Sequence, residues 1–407
     1  FNTIPEGLAA VTAGGTVCLE PATTPYPMFS ITANKSLVGY DRGCGNLRPT
    51  IAVNAPATIG SNLTNTNIER LIFNLNIPAG SGSDILIIDV ADNLTLRDNR
   101  FTGTSLRPDN NLLALQNIDN SLFRGNEFVN LTFTGAPGPS GRNQNLIYLR
   151  EGIGINQSRL SFNDEFTQNE FHNLGYPSTA SDAGQASRMR AMVVTGSYFD
   201  FSTSTNYGTK DIKIRNNLFY NFFDHTTGAT TNADHNDLEV LYLGGCDALV
   251  FANNTFDNFD VYNGTPSQAG AMKGFYSGGW ITPPAQLKNN IWKSTIWYQG
   301  PLIFHWSAGF WKDGDGPHPM SYSCVYWGNP APACGSCQVS SFLNMITKGT
   351  GSYDMFNLVD PNFNYTPGAN YYHPQNNTIK TGADDGSEMG AFGGPSGSWT
   401  PPSQFFP

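Results

Sequence analysis

The chain has 407 residues, enough for one long solenoid or two to three conventional domains. Its formal net charge of -10 disfavours nucleic acid and anionic membrane as partners, because both call for a concentrated positive field. Only 13% of residues are charged and 13% are aromatic, which excludes a disordered chain and suits a surface for hydroxyl-rich ligands or protein contact.

In chain order, Pro5–Thr12 reads as one short helix, followed by Gly14-Gly15 and a strand at Thr16–Leu19. Phe29–Ile31 and Ser36–Gly39 read as further strands. Strand-sized apolar runs continue at Ile68–Phe73, Ile85–Val90, Leu112–Leu115, Leu146–Leu149, Met192–Thr195, Leu238–Leu243 and Ile303–Trp306. Polar loops separate them, and no helical periodicity intervenes, which excludes an alternating βαβ sheet.

One local pattern recurs six times: an apolar residue, Asn three positions on, and an aromatic two positions later. The Asn/aromatic pairs are Asn99/Phe101, Asn126/Phe128, Asn169/Phe171, Asn217/Phe219, Asn254/Phe256 and Asn290/Trp292. The apolar partners are Leu96, Phe123, Phe166, Ile214, Phe251 and Leu287. The Asn positions are 27, 43, 48, 37 and 36 residues apart, a constant motif with variable intervals. A solenoid tolerates this, because insertions at a corner leave neighbouring coils undisturbed. The pattern therefore predicts stacked coils with the apolar and aromatic residues inward. Asn is expected at the corner itself, where it tolerates left-handed backbone and its amide bonds along a ladder.

The segments "NLTLRDNRF", "DIKIRNNLFYNF", "ALVFANNTFDNF" and "AQLKNNIW" carry this repeat. Together with "GLAAVTAGGTVCLEP", "SITANKSLVGYDRG" and the close "TGADDGSEMGAFGG", they resemble the secreted right-handed parallel β-helix proteins of the pectate-lyase-like superfamily. The resemblance implies an all-β, right-handed, single-stranded parallel β-helix with a short N-terminal capping helix. Residues 1-20 would form the cap and first strand, and 21-394 the helix with long loop insertions. Residues 395-407 would form a Pro-rich tail, a candidate intersubunit contact.

Phe1 without an initiator Met, and the even cysteine set Cys18, Cys44, Cys246, Cys324, Cys334 and Cys337, fit export and disulfide bonding, with pairings left open. Cys334-Gly-Ser-Cys337 lacks both the strand-to-helix setting of thiol redox chemistry and the partners a zinc site needs. Glycosylation sequons stand at Asn34, Asn62, Asn93, Asn130, Asn156, Asn263, Asn364 and Asn376; the one at Asn253 adjoins the repeated turn and is a poor acceptor.

For chemistry, a lyase of this fold needs a base beside a uronate carboxylate and Ca²⁺ or a cation to stabilise the enolate-like intermediate. Arg188 and Arg190 precede an apolar strand, and Lys273 adjoins another. Asp224, His225, Asp234, His235 and Asp237 form the densest titratable cluster. Arg190 and Lys273 are the candidate bases, with Asp237 alongside; Asp234 and Asp237 are candidate Ca²⁺ ligands. Aspartate in such a loop-rich stretch is equally an ordinary turn residue. The polygalacturonase and pectate-lyase signature segments are absent from the sequence. Trp297, Trp306 and Trp311 would stack on sugars or anchor subunit contacts.

The first reading is accordingly an extracellular structural or cell-surface protein, a homo-oligomeric or polymeric subunit of a fibre, sheath or envelope. The alternatives are a polysaccharide lyase or other glycan-active enzyme, and a carbohydrate-binding adhesin.

Overall fold

The computed structural model describes residues 1–32, 34–40, 47–77, 84–103, 111–133, 143–150, 161–177, 188–194, 197–200, 205–224, 237–243, 246–261, 272–277, 281–282, 286–293, 318–321, 324–326, 346–348, 360–368, 371–394 and 398–404. For several later strands this description covers the backbone course alone.

Among these residues the chain winds into three parallel sheets of 11, 10 and 7 strands, in which each strand pairs with its equivalent in the coil below and above. This is the right-handed parallel β-helix expected from the repeat. The first sheet runs from Thr16–Leu19 through Thr95–Arg97 and Glu165–Thr167 to Ile346–Lys348. The second includes Arg100–Gly103, Glu127–Val129, Glu170–Tyr176 and Leu218–Asp224. The third includes Asp84–Asp92, Asn111–Asp119, Asn143–Arg150, Arg188–Val194, Asp237–Leu243 and Met272–Ser277.

Helix α1 (Ile4–Ala10) caps the first coil, close to the expected span. Thr3 accepts from the Glu6 N–H while the Glu6 carboxylate accepts from the Thr3 N–H, a reciprocal N-terminal cap. Ile4 and Leu8 are buried, so the helix covers apolar side chains that the first coil would otherwise leave in water.

The six-fold motif is explained atom by atom. Each Asn amide donates both to the next Asn and to the carbonyl of the motif's apolar position one coil back. Asn126 Nδ2 bonds Asn169 Oδ1 and the Leu96 carbonyl, both at 3.0 Å. Asn169 Nδ2 bonds Asn217 Oδ1 at 3.0 Å and the Phe123 carbonyl at 2.9 Å. The same acceptor oxygen also takes the backbone N–H of the preceding ladder Asn, as Asn169 Oδ1 does from Asn126 at 3.0 Å. The ladder runs unbroken from Asn99 to Asn290, and all six residues are buried. Beside it Phe73, Phe101, Phe128, Phe171, Phe219, Phe256 and Trp292 stack face to face, with centroid spacings of 3.9–5.0 Å.

One detail differs from the sequence expectation. The left-handed backbone lies not at the ladder Asn but at the residue before it: Asp98, Gly125, Gln168, Asn216, Asn253 and Asn289 all have φ between 56° and 65°. That residue turns the chain from the first sheet into the second, leaving the ladder Asn free to hydrogen-bond along the stack. At Gly125 a Cβ would lie 2.5 Å from Asp98 Oδ1, so glycine there relieves both strain and crowding.

The C-terminal segment packs back on the chain's own coils. Ala391 N–H donates to Thr255 Oγ1 at 2.8 Å, Asn216 Nδ2 donates to the carbonyls of Ala391 and Gly393, and Lys293 Nζ pairs with Asp360 at 3.0 Å. Asp384 joins Lys288 and Asn289, and Ser403 reaches Glu170. A second apolar cluster forms beneath it, with Leu218, Tyr220 and Ile291 from the coils and Tyr372, Met389 and Phe392 from the segment.

Asp164 is a buried exception inside the stack. Its Oδ1 accepts the Ser121 N–H at 2.9 Å, while Oδ2 is buried without a hydrogen-bond partner. Burial pushes its pKa from 3.8 up to about 8, partly opposed by the Ser121 hydrogen bond.

Two outcomes follow from this packing. Asn169→Ala strips four ladder hydrogen bonds and should cost on the order of 3–5 kcal/mol in denaturant unfolding. Asn173→Gly removes an exposed amide but keeps the left-handed backbone there, and should cost under about 1 kcal/mol. For Asp164 the folded chain holds its proton up to about pH 8 while the unfolded chain releases it near 3.8. Stability therefore falls as pH rises between those values. Asp164→Asn should remove that decline, leaving the variant more stable at pH 8 by on the order of 1–3 kcal/mol and little changed near pH 4.

Candidate functional site

The third sheet brings the sequence candidates together. Its in-register pairing forms one column across six coils: Asp84, Asn111, Asn145, Arg190, Glu239 and Lys273. Two positions earlier, Arg188 is in register with Asn143 below and Asp237 above. Arg190 and Lys273 thus share a column two strands apart, about 10 Å between backbones. Asp237 stands two residues before the column's carboxylate, Glu239.

The foot of the column is an amide ladder on the side away from the apolar core. Asn111 Nδ2 donates to Asp84 Oδ1 and Asn145 Nδ2 donates to Asn111 Oδ1, each at 2.6 Å. Each amide thereby uses its donor on the coil below. At the top, Asn145 Oδ1 is buried and makes no hydrogen bond, one coil below Arg190. Arg190 is itself buried, and its guanidinium carbon lies 4.2 Å from the centroid of the Tyr242 ring. That cation–π contact fixes the guanidinium plane and lets a buried positive charge keep a partner. Core positions alternate with these polar ones: Ile85, Leu112, Leu146 and Ala191, each directly following a member of the column, are buried in the core.

Insertions gather at this same edge. The connections 104–110, 134–142, 178–187, 225–236 and 262–271 each join a second-sheet strand to the start of a third-sheet strand. Each therefore enters the column's own end of the sheet. Loops carried at one corner of a rigid scaffold are where such folds place binding and catalytic groups.

Of the sequence candidates, Arg190, Lys273 and Asp237 fall on this sheet; Asn145 and Glu239 in the same column, and Tyr242 under Arg190, carry no local sequence signal. Pairing over 45, 49 and 34 residues sets the column, and no local motif announces it. Asp234, Cys44, Cys334, Cys337, Asn156, Asn263, Trp297, Trp306 and Trp311 lie outside the described residues. Cys18 is exposed, with no disulfide partner among the described residues; Cys246 is buried, and Cys324 begins a second-sheet strand. Asn62, Asn93 and Asn130 are exposed at left-handed turns, the last two also in amide ladders. Asn34 accepts the Thr64 N–H, Asn364 the Thr366 N–H, and Asn376 caps the helical turn Asn377–Lys380.

No helix among the described residues is long and apolar enough to cross a membrane. No protein-family model and no curated protein matches the chain. Solved structures similar to it include a PL6 alginate lyase in complex with a trisaccharide, at 10% identity and TM-score 0.30, covering 94% of this chain and 89% of that one. The PL6 family polysaccharide lyase Pedsa3628 from Pseudopedobacter saltans gives 10% identity and TM-score 0.27, covering 97% of each chain. ORF18 of Geobacillus virus E2 gives 12% identity and TM-score 0.28 over 77% of this chain, which spans about half (54%) of the viral protein's length. The β-helix assignment rests on the strand register itself.

Proposed function

We propose that the chain is a polysaccharide lyase acting on a uronate-containing polymer, with its reacting centre on the third-sheet column. The observation that carries this reading is the register that aligns Arg190, Glu239 and Lys273, with Arg188 and Asp237 two positions away. β-Elimination needs a base at the carbon beside the uronate carboxylate and positive charge on that carboxylate as the enolate-like state develops. In this reading Lys273 removes the proton. Arg190, held over Tyr242, neutralises the carboxylate.

Asp237 and Glu239, two positions apart on one strand, are carboxylates of the kind Ca²⁺ takes in preference to a softer ion. Bound there, Ca²⁺ would add positive charge for the uronate carboxylate. A secreted setting accords with both the substrate class and the cysteine usage. The assembly-subunit reading leans on Trp297, Trp306, Trp311 and the terminal Phe405-Phe406-Pro407, which lie outside the described residues, and it has no comparable geometric support.

A panel of uronate polysaccharides, with and without Ca²⁺, tests this through the ultraviolet absorbance of new unsaturated ends. Wild type should produce them on at least one polymer. Arg190→Ala and Lys273→Ala should each lower kcat/KM by about 10²-fold or more while thermal melting confirms folding. Binding without cleavage would point to an adhesin. Ordered filaments without activity would point to the structural subunit.

A further inference from the structure

On a different face, the outer side of the second sheet, Glu127, Glu170 and His172 are buried at 1%, 0% and 6% relative exposure. One donor atom from each lies within 4.8 Å of the others. We infer that these three residues form a site for a divalent transition ion of the Zn²⁺ class, closed by Ser403 of the C-terminal segment.

The strands set the geometry. Glu127 pairs in register with Glu170, and His172 stands two residues further along the same strand, so the three share one side of adjacent coils. Glu127 Oε1 and His172 Nε2 are 2.9 Å apart. Two ligands bound at about 2.0–2.2 Å to one tetrahedral ion sit about 3.4 Å apart, so a shift of about half an ångström would open this hydrogen-bonded pair around an ion. An imidazole with two carboxylates suits Zn²⁺ or Mn²⁺ better than the oxygen-only preference of Ca²⁺.

Each donor also has an outer support, as metal ligands generally do. Glu170 Oε1 accepts from Tyr220 Oη at 2.8 Å and from Ser403 Oγ at 2.5 Å, and its Oε2 accepts the Ser403 N–H at 2.7 Å. The His172 ring stacks on Tyr220 with centroids 4.8 Å apart, which fixes its plane. Glu127 Oε2 is buried without a hydrogen bond, facing Arg100 Nε as an ion pair at 3.2 Å. Two adjacent buried carboxylates repel one another, and a divalent cation would neutralise both at once. Because Ser403 contacts Glu170 directly, the ion would also lock the C-terminal segment onto the coils.

The test uses the full chain, stripped with a chelator, dialysed, and titrated calorimetrically with Zn²⁺ and separately with Mn²⁺. Metal analysis after gel filtration and melting curves accompany the titration. Wild type should retain one ion per chain and melt higher with it. His172→Gln should bind at least about 10²-fold more weakly, and Ser403→Ala about 10–100-fold more weakly. Equal retention by wild type and His172→Gln would place the ion elsewhere, for instance on cysteines, and overturn the assignment. No retention by wild type would also overturn it, leaving the three side chains as a hydrogen-bonded clasp. Should His172→Gln fail to fold, Ser403→Ala carries the test, and unchanged affinity in it counts against the site.

Discussion

The structure depends on one buried hydrogen-bond pattern, the asparagine ladder. A solenoid must repeat its backbone about every 4.8 Å, and at the corner between two sheets the left-handed residue turns one N–H per coil away from any backbone carbonyl, so that it needs a side-chain acceptor. Asparagine closes the gap because its amide has two donors and a double acceptor. One oxygen receives both the backbone and side-chain N–H of the coil below, while the nitrogen reaches the next amide and an apolar residue's carbonyl. With every polar atom satisfied in a dry interior, a one-residue slip would orphan several groups at once. Register is thereby fixed from Asn99 to Asn290, and with it every outer column of side chains.

That coupling explains what was legible in the sequence. The spacing of three between apolar residue and Asn reflects a hydrogen bond, since Asn126 Nδ2 binds the carbonyl of Leu96 one coil back. The spacing of two between Asn and aromatic reflects one strand face, on which Phe101, Phe128 and Phe171 stack. Fold class could therefore be read from six short windows. The left-handed position could not be assigned as securely. "RNN", "ANN" and "KNN" offer two adjacent Asn residues, and the geometry gives the turn to the first and the ladder to the second.

The site was legible only in part, for a physical reason. Arg190 stood out as a charge at the head of an apolar run, whereas Glu239 and Asn145 acquire meaning through strands 49 and 45 residues away from it. Insertions of unequal length at the sheet-two to sheet-three corner hide that register. The Glu127, Glu170 and His172 group was more accessible than it looked. Glu127 and Glu170 each directly follow a ladder Asn, so alignment on Asn126 and Asn169 alone stacks the two carboxylates.

The ladder also separates the chemistry of the fold from the chemistry of its surface. Inward columns consist almost wholly of apolar and small polar side chains, with Asp164 as the charged-type exception, and a substitution there is felt along the stack. Outward columns carry no such restriction, because their backbone bonds are complete whatever the side chain. Two of them have gathered ionisable residues here, under different covers. The third-sheet column lies where insertions from successive coils arrive, and the second-sheet column lies under a segment that closes on Ser403. The same repeat thus carries a polar column in register on one face and a closed polar cluster on another. In this architecture the columns, more than the fold, carry the information about function.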